Sequence, residues 1–117
     1  MKNEQQTKVP DLSTEATKVL AIGRFTEKAM NAGKRLPVMM KEVPATLRLY
    51  LTGKIEQWFI KPDLSGPVFI MNVARPDEAR KILGALPLGV EEMMDFELIP
   101  LGPLTPLRLL LNDKPVD

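Results

Sequence analysis

The chain has 117 residues, 44% of them hydrophobic and 26% charged, with a formal net charge of +1. These values suit one folded domain with one core and give no general basis for nucleic-acid binding. It contains neither cysteine nor histidine, which excludes disulfides, sulfur-ligated metal sites and imidazole acid–base chemistry.

The polar amino terminus lacks the apolar run of a signal peptide, and no segment approaches the roughly 20 apolar residues of a spanning helix. The expected setting is therefore cytoplasmic, with no membrane partner, and the missing cysteines fit a reducing compartment. Charge is unevenly spread. Residues 1–61 carry 11 Lys/Arg against 6 Asp/Glu, and residues 62–117 carry 5 against 9. That asymmetry suits assembly between subunits or attraction of an anionic small molecule, as well as ordinary solvated faces.

Residues 1–15 are polar and read as an N-terminal arm, and 16–101 as the folded domain. The apolar run through Val19, Leu20, Ala21 and Ile22 predicts a first strand over about 18–25. Thr26 followed by Glu27 predicts a short helix over about 27–35. A longer helix is predicted from Pro37 to Leu51, with Val43, Leu47 and Leu51 as its apolar stripe and Pro44 kinking or dividing it.

KIEQWFI at 54–60 reads as a strand with Ile55, Gln57 and Phe59 on one face and Glu56, Trp58 and Ile60 on the other. Turn residues 62–66 lead into a strand at 67–73, giving a hairpin. Pro76-Asp77-Glu78 opens a second helix that Pro87 stops, and MMDFELIPL at 93–101 is the last strand. The order strand–helix–strand–strand–helix–strand predicts an α+β ferredoxin-like sandwich, two helices on a four-stranded antiparallel sheet. Residues 102–117 form an extension rich in proline and leucine. So much leucine suits packing on a partner subunit, with folding back over its own sheet as the alternative. Both strand faces carry apolar residues, so a second copy stacked on the open face would complete the core and enclose a pocket.

GKIEQWF at 53–59, VFIMNV at 68–73, DEARKILGALPLG at 77–89 and MMDFEL at 93–98 resemble the corresponding parts of muconolactone isomerase and related proteins. EVPATLRLYLTGKIEQW at 42–58 and the segment from Met93 onward are similar to a group of small uncharacterised bacterial proteins of that class. The resemblance spans about residues 18–111. It implies a dimeric α+β barrel built from two sandwiches, with higher oligomers in reach. The activity implied is a cofactor-independent shift of a double bond in a lactone by proton removal and return. In this alignment Gln57 stands where the family carries a histidine, and Glu56 and Ile60 replace flanking arginines.

Without histidine, proton transfer would need a carboxyl whose pKa an apolar setting has raised. Glu56, Glu97 and Glu42 are the candidates, with Tyr50, the only tyrosine, as a hydrogen-bond donor to a ligand oxygen. Arg24 and Arg48 are candidates for an anionic group; Gln57, Trp58 and Asn72 are candidates for lining a ligand site. Each has a structural alternative in an ion pair, a solvated face or core packing. No Gly-rich phosphate loop, metal-ligand spacing or serine-type nucleophile constellation is present, so neither a cofactor nor a metal is expected. Two functions follow. One is an isomerase or related proton-transfer enzyme acting on a small lactone or carbonyl compound at a dimer interface. The other is a non-catalytic oligomeric small-ligand-binding or accessory protein.

Overall fold

A computed structural model describes residues 11–111; residues 1–10 of the expected arm and 112–117 of the extension lie outside them. The elements in order are β1 (Lys18–Phe25), a 3₁₀ turn (Glu27–Met30), α1 (Ala32–Leu51), β2 (Ile55–Ile60), β3 (Pro67–Met71), α2 (Pro76–Gly84), α3 (Pro87–Val90), β4 (Met94–Leu101) and a second 3₁₀ turn (Thr105–Leu110). Among the described residues four strands form one antiparallel sheet in the order β2-β3-β1-β4, with α1 over β2 and α2 over β1 and β4. This is the expected two-layer α+β sandwich.

The expected barrel is not formed. Among the described residues β2 and β4 each have one neighbour and lie at opposite edges, so the sheet stays open. Closure requires the edge strands to pair. Here β2 is bulged near Glu56, and β4 contains Pro100, which lacks a backbone donor; both features blunt an edge.

Period-two alternation sends Val19, Ala21, Phe69 and Met71 under the helices, where they form the main core with Ile55, Ala79 and Leu83. Phe69 is fully buried at its centre, a burial that stabilises by about 2–3 kcal/mol. A smaller cluster of Ala29, Leu88, Met93 and Met94 closes the end near α3.

Helix α1 departs from its expected limits and its expected face. It starts five residues earlier, at an Asn31 cap whose side chain accepts a hydrogen bond from the Lys34 N–H at 3.2 Å, and continues through both Pro37 and Pro44. Sheet packing along its length offsets the cost of about 3 kcal/mol that an interior proline brings. The inward face holds Val38, Met39, Glu42, Ala45, Thr46 and Leu49, whereas Val43, Leu47 and Leu51 are exposed. The second helix ends at Gly84, and Pro87 begins the separate turn α3.

The bulge in β2 also corrects the expected alternation. Ile55 pairs with Met71 and Gln57 with the next residue, Ile70, so Glu56 is an extra residue. Ile55, Trp58 and Ile60 consequently share the helix side, while Gln57 and Phe59 lie on the open face. That open face carries Leu20, Ile22, Val68, Ile70 and Ile99. The leucines of the second 3₁₀ turn, Leu107, Leu109 and Leu110, are exposed.

Gly66 sits where the β2–β3 turn touches β1. A Cβ there would lie 2.3 Å from the Gly23 carbonyl oxygen, and its φ is +155°. Gly66→Ala is expected to cost at least about 2 kcal/mol. Urea unfolding checks this, and a loss under 0.5 kcal/mol (roughly the noise of a surface substitution) would show that the turn relaxes freely.

Candidate functional site

A carboxyl inside an apolar wall is the most unusual chemical feature of the fold. Between the inward face of α1 and the sheet lies a cavity of about 160 Å³. Its walls include Phe25, Met39, Trp58, Phe69 and Met94, and its two polar side chains are Glu42 and Thr46. Glu42 is 8% exposed and Thr46 2%. They stand one helical turn apart, so both project from the same side of α1.

The carboxyl of Glu42 is fixed at both oxygens. Oε1 accepts the Leu88 N–H at 2.8 Å, and Oε2 accepts the Thr46 hydroxyl at 3.2 Å. Leu88 lies in the first turn of α3, where a carboxylate satisfies a backbone donor that the helix itself leaves unpaired. Burial pushes the Glu42 pKa up, and the hydrogen bonds from Leu88 and Thr46 pull it back in part. Each oxygen keeps a second acceptor position, so the group can take or give a proton within the cavity.

Aromatic rings continue the wall across the sheet. Tyr50 lies 6.5 Å from Trp58, Trp58 6.3 Å from Phe69, and Phe69 5.7 Å from Phe96, centroid to centroid. These separations suit tilted and edge contacts. Trp58 is 37% exposed and divides its surface between this row and the cavity mouth. Tyr50 is exposed at the end of α1, beside Trp58 and away from the Glu42 carboxyl in sequence by two turns.

The other sequence candidates occupy different places. Glu56 is exposed on the open face, where it forms an ion pair with Lys18. Lys18 also donates to Asn72 Oδ1 at 2.8 Å, and Asn72 Nδ2 donates to the Gly53 carbonyl at 2.9 Å. Glu56, Lys18 and Asn72 therefore tie the starts of β1 and β2 to the turn after α1. Glu97, opposite Ile22 in β4, lies at the other edge of the sheet. Three strand spacings put it about 14 Å from the β2 backbone. Gln57 is exposed on the open face beside Ile70, Arg24 is exposed at the end of β1 opposite Asp95, and Arg48 is exposed near the end of α1.

Within one chain, then, Tyr50 and Trp58 come together, Glu56 and Asn72 come together, and Glu97 and Arg24 stand apart from both groups. Of the three candidate carboxylates only Glu42 lines the cavity with Trp58. Thr46 escaped the sequence reading, and its one signal was its spacing of four from Glu42.

Among the described residues no helix is long and apolar enough to cross a membrane, and no three acidic side chains gather as a metal site would require. Comparison with known proteins adds no assignment: no family model matches the chain, and no curated protein is detectably similar to it.

The raised pKa has a measurable consequence. Between the unfolded and the folded value of Glu42 the native state binds more protons, so stability is greatest below the unfolded value and falls as pH rises through the folded one. Glu42→Gln keeps an acceptor for the Leu88 N–H and does not ionise. It is expected to be more stable than the wild type at pH 7, by about 1.4 kcal/mol for each unit by which burial lifts the group. Urea melts at pH 4 and pH 7 check this; a difference that does not grow with pH contradicts it.

Proposed function

We propose that the chain is a cytoplasmic, cofactor-independent proton-transfer protein for a small carbonyl compound, held in the cavity between α1 and the sheet. The carrying observation is the buried carboxyl of Glu42 in an otherwise apolar cavity of about 160 Å³. An apolar cavity of about 150 Å³ accepts a benzene-sized molecule, so a five- or six-membered ring with one oxygen substituent is the right scale. The resemblance to muconolactone isomerase supports the same class of reaction.

In this reading Glu42 removes a proton from the carbon next to the carbonyl, and the electron pair of that C–H bond moves into the enolate. The same carboxyl then returns the proton to a carbon further along the conjugated system. One group serves both steps because it holds the proton between them, and the cavity mouth beside Trp58 lets that proton exchange with water. A pKa raised by burial strengthens the carboxylate as a base and the carboxyl as a shuttle near neutral pH. Thr46 and the Leu88 N–H keep the group oriented while its charge changes.

Cyclohex-2-enone in D₂O is a suitable probe. The wild-type chain is expected to accelerate exchange of its acidic C–H protons, followed by NMR, and Glu42→Gln to lose at least about 100-fold of that rate. Exchange no faster than in buffer of the same pH would sink the proposal.

A second reading concerns assembly and rests on the open face. Phe59, Val68 and Ile22 form one apolar row across it, and Ile70, Leu20 and Ile99 the next. Face-to-face stacking with a second copy would cover both rows and bring the exposed leucines of residues 104–111 near the partner. Light scattering at about 50 μM, a concentration where a micromolar dimer is mostly formed, is expected to give twice the chain mass. Ile22→Lys is expected to return it to the monomer mass. A wild-type monomer at that concentration rules this reading out.

A further inference from the structure

The Glu42 cavity continues toward the start of α1. A second, more open hollow of about 470 Å³ shares Phe25, Met39 and Ile60 with the first, so the two form one groove. The outer hollow has a single charged side chain in its wall, Arg35. Its guanidinium is held at two points: Nη1 donates to the Ala29 carbonyl at 3.2 Å, and the guanidinium carbon lies 5.2 Å from the centre of the Phe25 ring. Stacking and one hydrogen bond fix the plane of the group and leave further N–H donors of its five. Among the described residues Arg35 forms no ion pair.

Arg35 and Glu42 are seven residues apart on one helix. Seven residues turn through about 700°, almost two full turns, so both side chains lie on the same stripe, about 10 Å apart along the axis. Met39 stands between them on that stripe, with Phe25 and Ile60 facing it across the groove. The groove thus has a fixed cation at its outer end, an apolar middle, and the buried carboxyl of Glu42 at its inner end.

We propose that this groove binds a slender monoanionic organic acid lengthwise, its carboxylate on Arg35, its apolar body along Phe25, Met39 and Ile60, and a hydroxyl or carbonyl at its far end on Glu42. The inference rests on the reading of the α1 cavity as a ligand site and adds the charge and length of what enters it. A neutral compound of the same shape fills the middle and inner parts but leaves the guanidinium without an anion. A shorter acid reaches only one end. The groove therefore selects by charge at one end and by length at the other.

The test uses 8-hydroxyoctanoate, its amide 8-hydroxyoctanamide, and the short acid 4-hydroxybutanoate, with binding followed through the methyl signals of Met39 and Met94. The long acid is expected to bind at least tenfold more tightly than the amide or the short acid. Arg35→Gln is expected to remove the preference for acid over amide while leaving amide binding in place. Equal binding of acid and amide by the wild type overturns the inference without reference to any variant. So does a preference for the acid that survives in folded Arg35→Gln. Exchange of cyclohex-2-enone reports separately on Glu42: if exchange fails while the long acid binds through Arg35, the proton-transfer reading falls and the ligand class stands. If exchange succeeds while acid and amide bind alike, the reverse holds.

Discussion

Helix α1 must lie on the sheet although two prolines interrupt its hydrogen-bond ladder, and most of the molecule depends on how that is achieved. Its small inward residues, Ala45 and Thr46, let it approach the sheet, and Leu49 anchors its end in the core. Midway along, the Glu42 carboxyl reaches across to the Leu88 N–H and joins α1 to α3. Small residues at the contact also leave space, and the cavity is the volume that Phe25, Met39 and Trp58 do not fill. The same choice of side chains therefore positions the helix and creates the site.

A buried carboxyl is an expensive way to link two helices. A backbone donor can be satisfied by a neutral acceptor, and an ionisable group in an apolar wall raises its own free energy whenever it is charged. Retaining glutamate where glutamine would serve the structure suits a group whose changing charge is of use. Glu56, in contrast, meets a lysine at the surface, where an ion pair contributes little and requires little.

The strands were legible because alternation and turn residues agree: the limits of β1 were read correctly from its apolar run, and Pro62 to Gly66 marked the hairpin. The face of α1 was not. Its sequence offers two apolar stripes, and Val43, Leu47 and Leu51 are the more hydrophobic of them, yet Val38, Met39, Ala45 and Leu49 face inward. Size decided against hydrophobicity, because alanine and threonine permit close approach to a sheet that already carries Phe69. Glu42 could be named as a candidate carboxyl from sequence, but nothing local ranked it above Glu56 or Glu97. Telling them apart depends on which stripe of α1 is buried, and that is set by the sheet it meets. The barrel was an implication of resemblance, and strand pairing along the edges is not encoded in any local pattern.

The extra residue in β2 has a bearing on how this chain can change over generations. Every other position in the strand decides the orientation of all that follow, so losing one would turn Trp58 or Ile60 outward and empty the wall of the cavity. The bulge formed by Glu56 and Gln57 is the exception. Without either one, Ile55, the remaining residue and Trp58 would fall into plain alternation with their present facing, and the edge would merely straighten. The strand thus holds one place where a codon can be dropped without turning the rest of its side chains over.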